Sequence, residues 1–279
     1  FLYKYHSQVI QMSNSGKSFN NNTNADEYSK HHDVQLSVGK KLFSSLNIIR
    51  GDSMKVLDMG CGTGELTAFI AETLGENSEV VGVDPDLERI NKAIGKQDTR
   101  KNLTFTHGDS SSQFPHYNEP YYDIHFSNLV IQWLNPQEKE LFFQTAFKIL
   151  KPGGRIATLS FEKESAMVLA FQSLCVDDEV KHNKSPAMQL VNKSDVSFML
   201  TKTGFEVISN EYQPSSRMFE SMDQCLGWMT GTFYGHQNRL SSSKLEEFVK
   251  RFTNEDGRVT LCNPTIYRII AMKPLENNF

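Results

Sequence analysis

Between Val56 and Thr67 the chain reads VLDMGCGTGELT, an acid (Asp58) followed by glycines at 60, 62 and 64. Glycines so spaced permit a tight turn and let backbone N–H groups approach a ligand with no Cβ in the way. A second acid, Asp84, ends VVGVDPD about 20 residues past the glycines, where a carboxylate can accept both hydrogen bonds of a ribose diol. A third, Asp109, stands in HGDSS before Ser110, where it can accept from an adenine amino group. A fourth segment, YDIHFSN, ends in Ser127 and Asn128. Each acid alone could be a solvated loop or cap residue. Asp58 and Asp84 in this register suit a nucleoside.

These residues need elements that bring them to one edge. The apolar runs at 54–60, 78–86, 103–111 and 121–128 read as buried parallel strands, and RIATLSF (155–161) as a fifth. Helices are expected at 64–75, at 87–97 and at 135–150, the last with Pro136 just inside its start. KPGG (151–154) reads as the stop between helix and strand five. That alternation predicts an α/β fold, a Rossmann-like doubly wound, mostly parallel sheet with a helical lid. A helix is expected from about 25 to 46, another over 194–205, a strand over 206–212 and a last strand region over 258–274. Residues 1–23 read as a flexible arm and 24–279 as one domain, with lid segments at about 162–192 and 215–255. The second lid segment carries Met218, Phe219, Met222, Trp228, Met229, Phe233 and Tyr234, a packing face or a greasy pocket.

Composition narrows the partners. The 279 residues carry a net charge of −4, which disfavours a broad nucleic-acid face. Cys61, Cys175, Cys225 and Cys262 are scattered without a CxxC pair, so neither a metal site nor a disulfide framework is expected. No apolar run approaches the ~20 residues that span a bilayer. The start is a poor signal peptide and lacks an initiator Met, so the sequence reads as a fragment or a processed form. The expectation is a cytoplasmic protein, a monomer or weak homodimer.

LDMGCGTG, VVGVDPD, the HGD turn, YDIHFSN and ILKPGGR together resemble the class I S-adenosylmethionine-dependent methyltransferases. The resemblance spans 54 to about 161 and is more specific than the glycine turn alone. It implies S-adenosylmethionine as cofactor. Asp58, Gly60 and Gly62 would hold its methionine part, Asp84 beside Pro85 its ribose, and Asp109 with Ser110 its adenine. The backbone near Ser127 and Asn128 would close on its amino end, and Tyr28 would touch it from the arm.

The segment NADEYSKHHDVQ (24–35), the tryptophan in VIQWLNPQ and the late lid resemble the juvenile hormone acid and farnesoic acid O-methyltransferases, with trans-aconitate methyltransferase more distant. That likeness implies that Gln35 and Trp133 hold a substrate carboxylate. Gln132 stands where those enzymes tend to have His, and Asn128 replaces an aromatic. The implied reaction moves a methyl group to the carboxylate oxygen of a small apolar acid, terpenoid or fatty, giving a methyl ester. A carboxylate is already ionised near neutral pH and needs no base. An amine, phenol or C–H acid must lose a proton, and His107, His125 or His236 could take it. A non-catalytic binder of the cofactor is a further alternative, and a nicotinamide dehydrogenase a weaker one.

Overall fold

Val56 and Leu57 are both fully buried, on opposite faces of one strand. Val56 joins an apolar cluster with Phe43 and Ile70, and Leu57 joins another with Phe143 and Ile149. Side chains alternate across a strand, so a strand apolar at every position must be covered on both faces.

The computed structural model describes residues 32–49, 51–95, 100–111, 114–174, 188–233 and 242–275. The expected arm (1–23), Tyr28 and the start of the first expected helix lie outside them. Five strands run parallel, β1 (Lys55–Met59), β2 (Glu79–Asp84), β3 (Leu103–His107), β4 (Tyr122–Asn128) and β5 (Leu150–Phe161). The sheet order is β3-β2-β1-β4-β5-β9-β6, where β6 is Glu206–Tyr212 and β9, antiparallel to both neighbours, is Ile266–Met272. The chain reverses direction along the sheet between β1 and β4, which opens a crevice at their carboxyl ends.

Helices α1 (Asp33–Ser44) and α2 (Glu65–Leu74) cover one face. Helix α3 (Leu87–Gly95) follows β2, and α4 (Pro136–Ile149) and α6 (Lys193–Thr203) cover the other face. Asn135 caps α4, accepting from the Glu138 N–H, while the Glu138 carboxylate accepts from the Asn135 N–H. Asn192, rather than the expected serine or aspartate, caps α6 by accepting from the Asp195 N–H at 2.9 Å.

KPGG is not a stop. Strand β5 begins at Leu150 and runs through it, pairing Tyr122 with Leu150 and Ile124 with Arg155. The extra residues form a bulge, which Gly153 permits at φ +79°. The Gly153 N–H donates to the Lys273 carbonyl and the Lys273 N–H to the Gly154 carbonyl, both at 2.8 Å, so the bulge is held by the residue just past β9.

The expected last strand region splits in two. Strand β8 (Val259–Asn263) leaves the main sheet and pairs antiparallel with β7 (Ser215–Phe219), inside the expected lid. This ribbon packs with α5 (Ala166–Leu174), α7 (Met222–Phe233) and α8 (Ser242–Phe252). Their cluster includes Phe171, Met229 and Phe248 and takes in Val34 of α1. The lid is thus a third apolar layer fastened to the helix that opens the described chain.

Candidate active site

A cleft of about 1000 Å3, counting its open mouth, lies at the carboxyl ends of the parallel strands. Gly60, Asp84 and Arg89 line one part of it. Asn128, Val130 and Gln132 line the middle, and Trp133, Phe161, Glu164 and Val168 continue the wall. The lid contributes Trp228, Thr232 and Leu261.

Gly60 has φ +83°, and a Cβ there would sit 2.2 Å from the Val130 side chain. The turn therefore presents bare backbone to the cleft. Asp84 is 3% exposed, and its two oxygens accept from the N–H groups of Gly62 (2.8 Å) and Asp86 (2.9 Å). Burial pushes its pKa up to about 6, against the pull of Arg89. Asp58 is deeper and does not line the cleft; Thr67 donates to it at 2.7 Å, and burial lifts it to about 7. Two buried carboxylates raised in this way favour a cationic or hydroxyl-bearing ligand that would restore their charge.

The other expected cofactor residues divide. Asn128 lines the cleft; its amide donates to the Gln35 carbonyl at 2.9 Å, and its Oδ1 is buried with no partner among the described residues. Ser127 faces inward, donating to the Met59 carbonyl at 3.0 Å. Asp109 accepts from the N–H and the hydroxyl of Ser111, at 2.7 and 2.6 Å, which is a turn-cap use. The Ser110 carbonyl accepts from Thr145, and the Pro85 carbonyl lies 3.0 Å from the His107 ring. Neither Asp109 nor Ser110 lines the cleft.

A nucleoside bearing an ammonium group fits these residues. The bare backbone at Gly60, the carboxylate of Asp84 and the Asn128 side chain all border one cleft, and the buried Asn128 oxygen is without a partner among the described residues.

Gln35 and Trp133 both line the cleft, but Gln35 is committed elsewhere. Its Oε1 accepts from the Trp228 indole at 3.1 Å, and its Nε2 donates to Thr232 at 2.9 Å. Trp228 was legible only as part of an aromatic stretch. Gln132, noted in the sequence as a departure, is locked by Ser160 and by the Leu129 carbonyl.

Neither of the two candidate histidines among the described residues is placed as a base in the cleft. His125 is fully buried on β4, edge-on to Phe142, and burial lowers its pKa to about 3. His107 lies outside the cleft lining, and His236 lies outside the described residues. The ionisable group that sequence reasoning missed is Glu164, on the wall between β5 and α5. Its Oε1 is sealed from solvent without a partner, and burial raises its pKa to about 7.

Among the described residues there is no cluster that could hold a metal, and no helix is long and apolar enough to cross a membrane.

Residues 50–204 match the family described as a methyltransferase domain. Malonyl-[acyl-carrier protein] O-methyltransferase 2 of Ilyobacter polytropus is 24% identical over 263 residues, covering 90% of this chain and 96% of that protein. Demethylmenaquinone methyltransferase of Lactococcus lactis is 27% identical over 156 residues, 54% of this chain and 58% of that one. A solved S-adenosylmethionine-dependent methyltransferase from Methanosarcina mazei superposes with a TM-score of 0.50 at 17% identity, over 83% of this chain and 97% of that chain. At that identity the likeness is one of fold.

Proposed function

Since the chain belongs to the methyltransferase-domain family and is an S-adenosylmethionine-dependent methyltransferase, we propose that it methylates a carboxylate oxygen of a small apolar acid. One observation carries this reading. The wall beyond Asn128 is apolar and aromatic, with Trp133, Phe161, Val168, Trp228 and Leu261, and no arginine or lysine beside them among the described residues. Such a wall takes a hydrocarbon body and leaves its acid head without a clamping cation. The full-length likeness to a carrier-protein O-methyltransferase supports oxygen as acceptor atom.

When bound, S-adenosylmethionine supplies an electrophilic methyl group on sulfur. Asp84, with Pro85 behind it, would hold the ribose, and Gly60 with Asn128 the amino-acid end. Asp58, Gly62 and Ser127 shape this cradle from beneath. Asp109, Ser110 and Tyr28 are proposed for the adenine side. A cleft that excludes water favours a step in which opposite charges vanish, although the size of that effect is contested. Alignment accounts for the remainder, up to ~7–11 kcal/mol in favourable cases. The juvenile hormone acid type of substrate, a terpenoid or fatty chain, suits the apolar side chains of that wall. A cytoplasmic location is part of the same proposal.

The test is mass spectrometry of products from a panel of acids (farnesoic, dodecanoic and aconitic) incubated with protein and S-adenosylmethionine. A mass gain of one methylene, removed by mild base as an ester would be, is the expected result. Gain only on phenols or quinols would replace carboxylate by a proton-losing acceptor, the reading that Glu164 as a base would favour.

A further inference from the structure

Glu164 sits three strands from Asp84 along the sheet, since it follows β5 and the order is β2-β1-β4-β5. At ~4.8 Å per strand the strand ends that lead to them stand ~14 Å apart along the cleft floor. Asp84 and Gly60 mark the nucleoside end, so Glu164 belongs to the far end. There it shares the wall with Trp133, Val168 and Leu261. Its Oε1 is cut off from water and has no hydrogen-bond partner among the described residues. A buried acceptor left unpaired costs ~1–3 kcal/mol unless a ligand completes it.

We infer that Glu164 is the acceptor-side recognition group: a neutral carboxylic acid whose O–H donates to the carboxylate of the substrate. This rests on the carboxylate reading above. The substrate oxygen forms its bond to the methyl carbon as the carbon–sulfur bond breaks. The electron pair stays on sulfur, and Glu164 keeps its proton throughout. No base is consumed and no proton released.

The surroundings agree with a neutral group. Among the described residues the other ionisable side chains on the wall are Asp84 and Arg89, and Arg89 lies 3.5 Å from Asp86. Helix α5 carries no ionisable residue, the lid and ribbon face the cleft with Trp228, Thr232, Leu261 and Asn263, and β9 faces it with Ile266. On its own segment Lys163 is exposed, and Glu162 accepts from the Lys193 N–H and the Tyr212 hydroxyl. Burial alone lifts the Glu164 carboxyl to about 7, so it is largely protonated in mildly acid solution and charged above. Once charged, it repels a substrate carboxylate.

The experiment compares wild type, Glu164→Gln and Glu164→Ala on the best acid of the panel, from pH 6 to 9. Dodecanoate is also titrated into each protein saturated with S-adenosylhomocysteine. The amide keeps a neutral donor, so Glu164→Gln should retain at least a third of wild-type kcat/KM at pH 6.5. Wild-type kcat/KM and dodecanoate affinity should fall towards tenfold per pH unit above 7, and the glutamine variant should stay flat. Glu164→Ala should lose tenfold or more at pH 6.5 and stay flat above 7, so that its deficit against wild type closes as pH rises. Unchanged circular dichroism and cofactor heat exclude a folding defect. A dead glutamine variant, with wild-type rates rising through pH 7, would make Glu164 a base and overturn the inference. Wild-type pH profiles in both variants would make it a spectator and also overturn it. Ester formation persists in both of those cases; no ester from any acid, with cofactor still bound, sinks the carboxylate reading itself.

Discussion

The indole N–H of Trp228 donates to the side-chain oxygen of Gln35 at 3.1 Å, across 193 residues of sequence. Thr232, one helical turn on, accepts from the same amide at 2.9 Å. Helix α1 and lid helix α7 therefore close the cleft through one glutamine, 9% exposed. A side chain expected to grip the substrate lines the cleft and also holds two of its walls together.

Gln35 and Trp228 should consequently behave as one unit. Gln35→Leu and Trp228→Phe are each expected to lower kcat about tenfold, ~1.4 kcal/mol at the barrier. The double variant should be scarcely worse than either, because a shared hydrogen bond is lost only once. Steady-state rates of the four proteins supply the cycle. Strictly multiplying effects would show that the two side chains act separately. Trp133→Phe is expected to lower kcat by a similar factor with cofactor affinity held, since Trp133 lines the cleft wall proposed for the acceptor.

Gly60→Ala should abolish cofactor binding. The new methyl meets the Val130 side chain at 2.2 Å, at a φ of +83°. Gly257→Ala is the control, with φ +82° but nothing within 4 Å of its Cβ. Both positive-φ positions strain an alanine, and only the first collides. Thermal melts with and without S-adenosylhomocysteine separate them. A ligand-induced upshift surviving in Gly60→Ala would contradict the close approach.

Cofactor affinity should rise with pH between 5 and 7.5. Asp84 is held up to about 6 by burial, and its ionised form is the better acceptor for hydroxyl groups. A bound ligand that favours the ionised form lowers that pKa, so binding releases protons near pH 6 and weakens as pH falls. Asp84→Asn should bind tenfold or more weakly, with a flat profile. Isothermal titration in buffers of different ionisation enthalpy reads both quantities.

His125 makes the fold acid-sensitive. Its folded pKa is lowered to about 3 by burial, against an ordinary value of 6.5. The unfolded chain takes up a proton below 6.5 and the folded one does not until about 3. Stability is therefore lost as pH falls through that window, amounting to ~2 kcal/mol at pH 5. Asp58, raised to about 7, works in the opposite direction, gaining stability as pH falls towards its unfolded value. The readout is accordingly a difference: between pH 7 and 5, His125→Leu should lose ~2 kcal/mol less than wild type in urea unfolding. Parallel lines would remove His125 from the acid response.

Strand ends were legible because parallel strands buried on both faces write continuous apolar runs, and because Asp58, Asp84 and Asp109 punctuate them. KPGG was misread, since proline and paired glycines stop most strands; here the bulge and Lys273 carry β5 through. The ribbon β7–β8 was hidden because SSRMF alternates on a surface only the folded lid supplies. Trp228 and Thr232 could not be tied to Gln35, as their contact depends on how α7 lies across α1. Glu164 sits in FEKESA, a run whose charges read as solvated, and only the cleft distinguishes it from Glu162.

The Val130 methyl that fills the space behind Gly60 does more than forbid a larger residue there. Val130 comes directly before the 3-10 turn that carries Gln132 and Trp133. One branched aliphatic side chain thus supports the floor of the nucleoside berth and the root of the acceptor wall alike. A trimmed methyl at that spot would loosen both compartments together, so affinity for either occupant could be tuned in evolution only at the expense of the other.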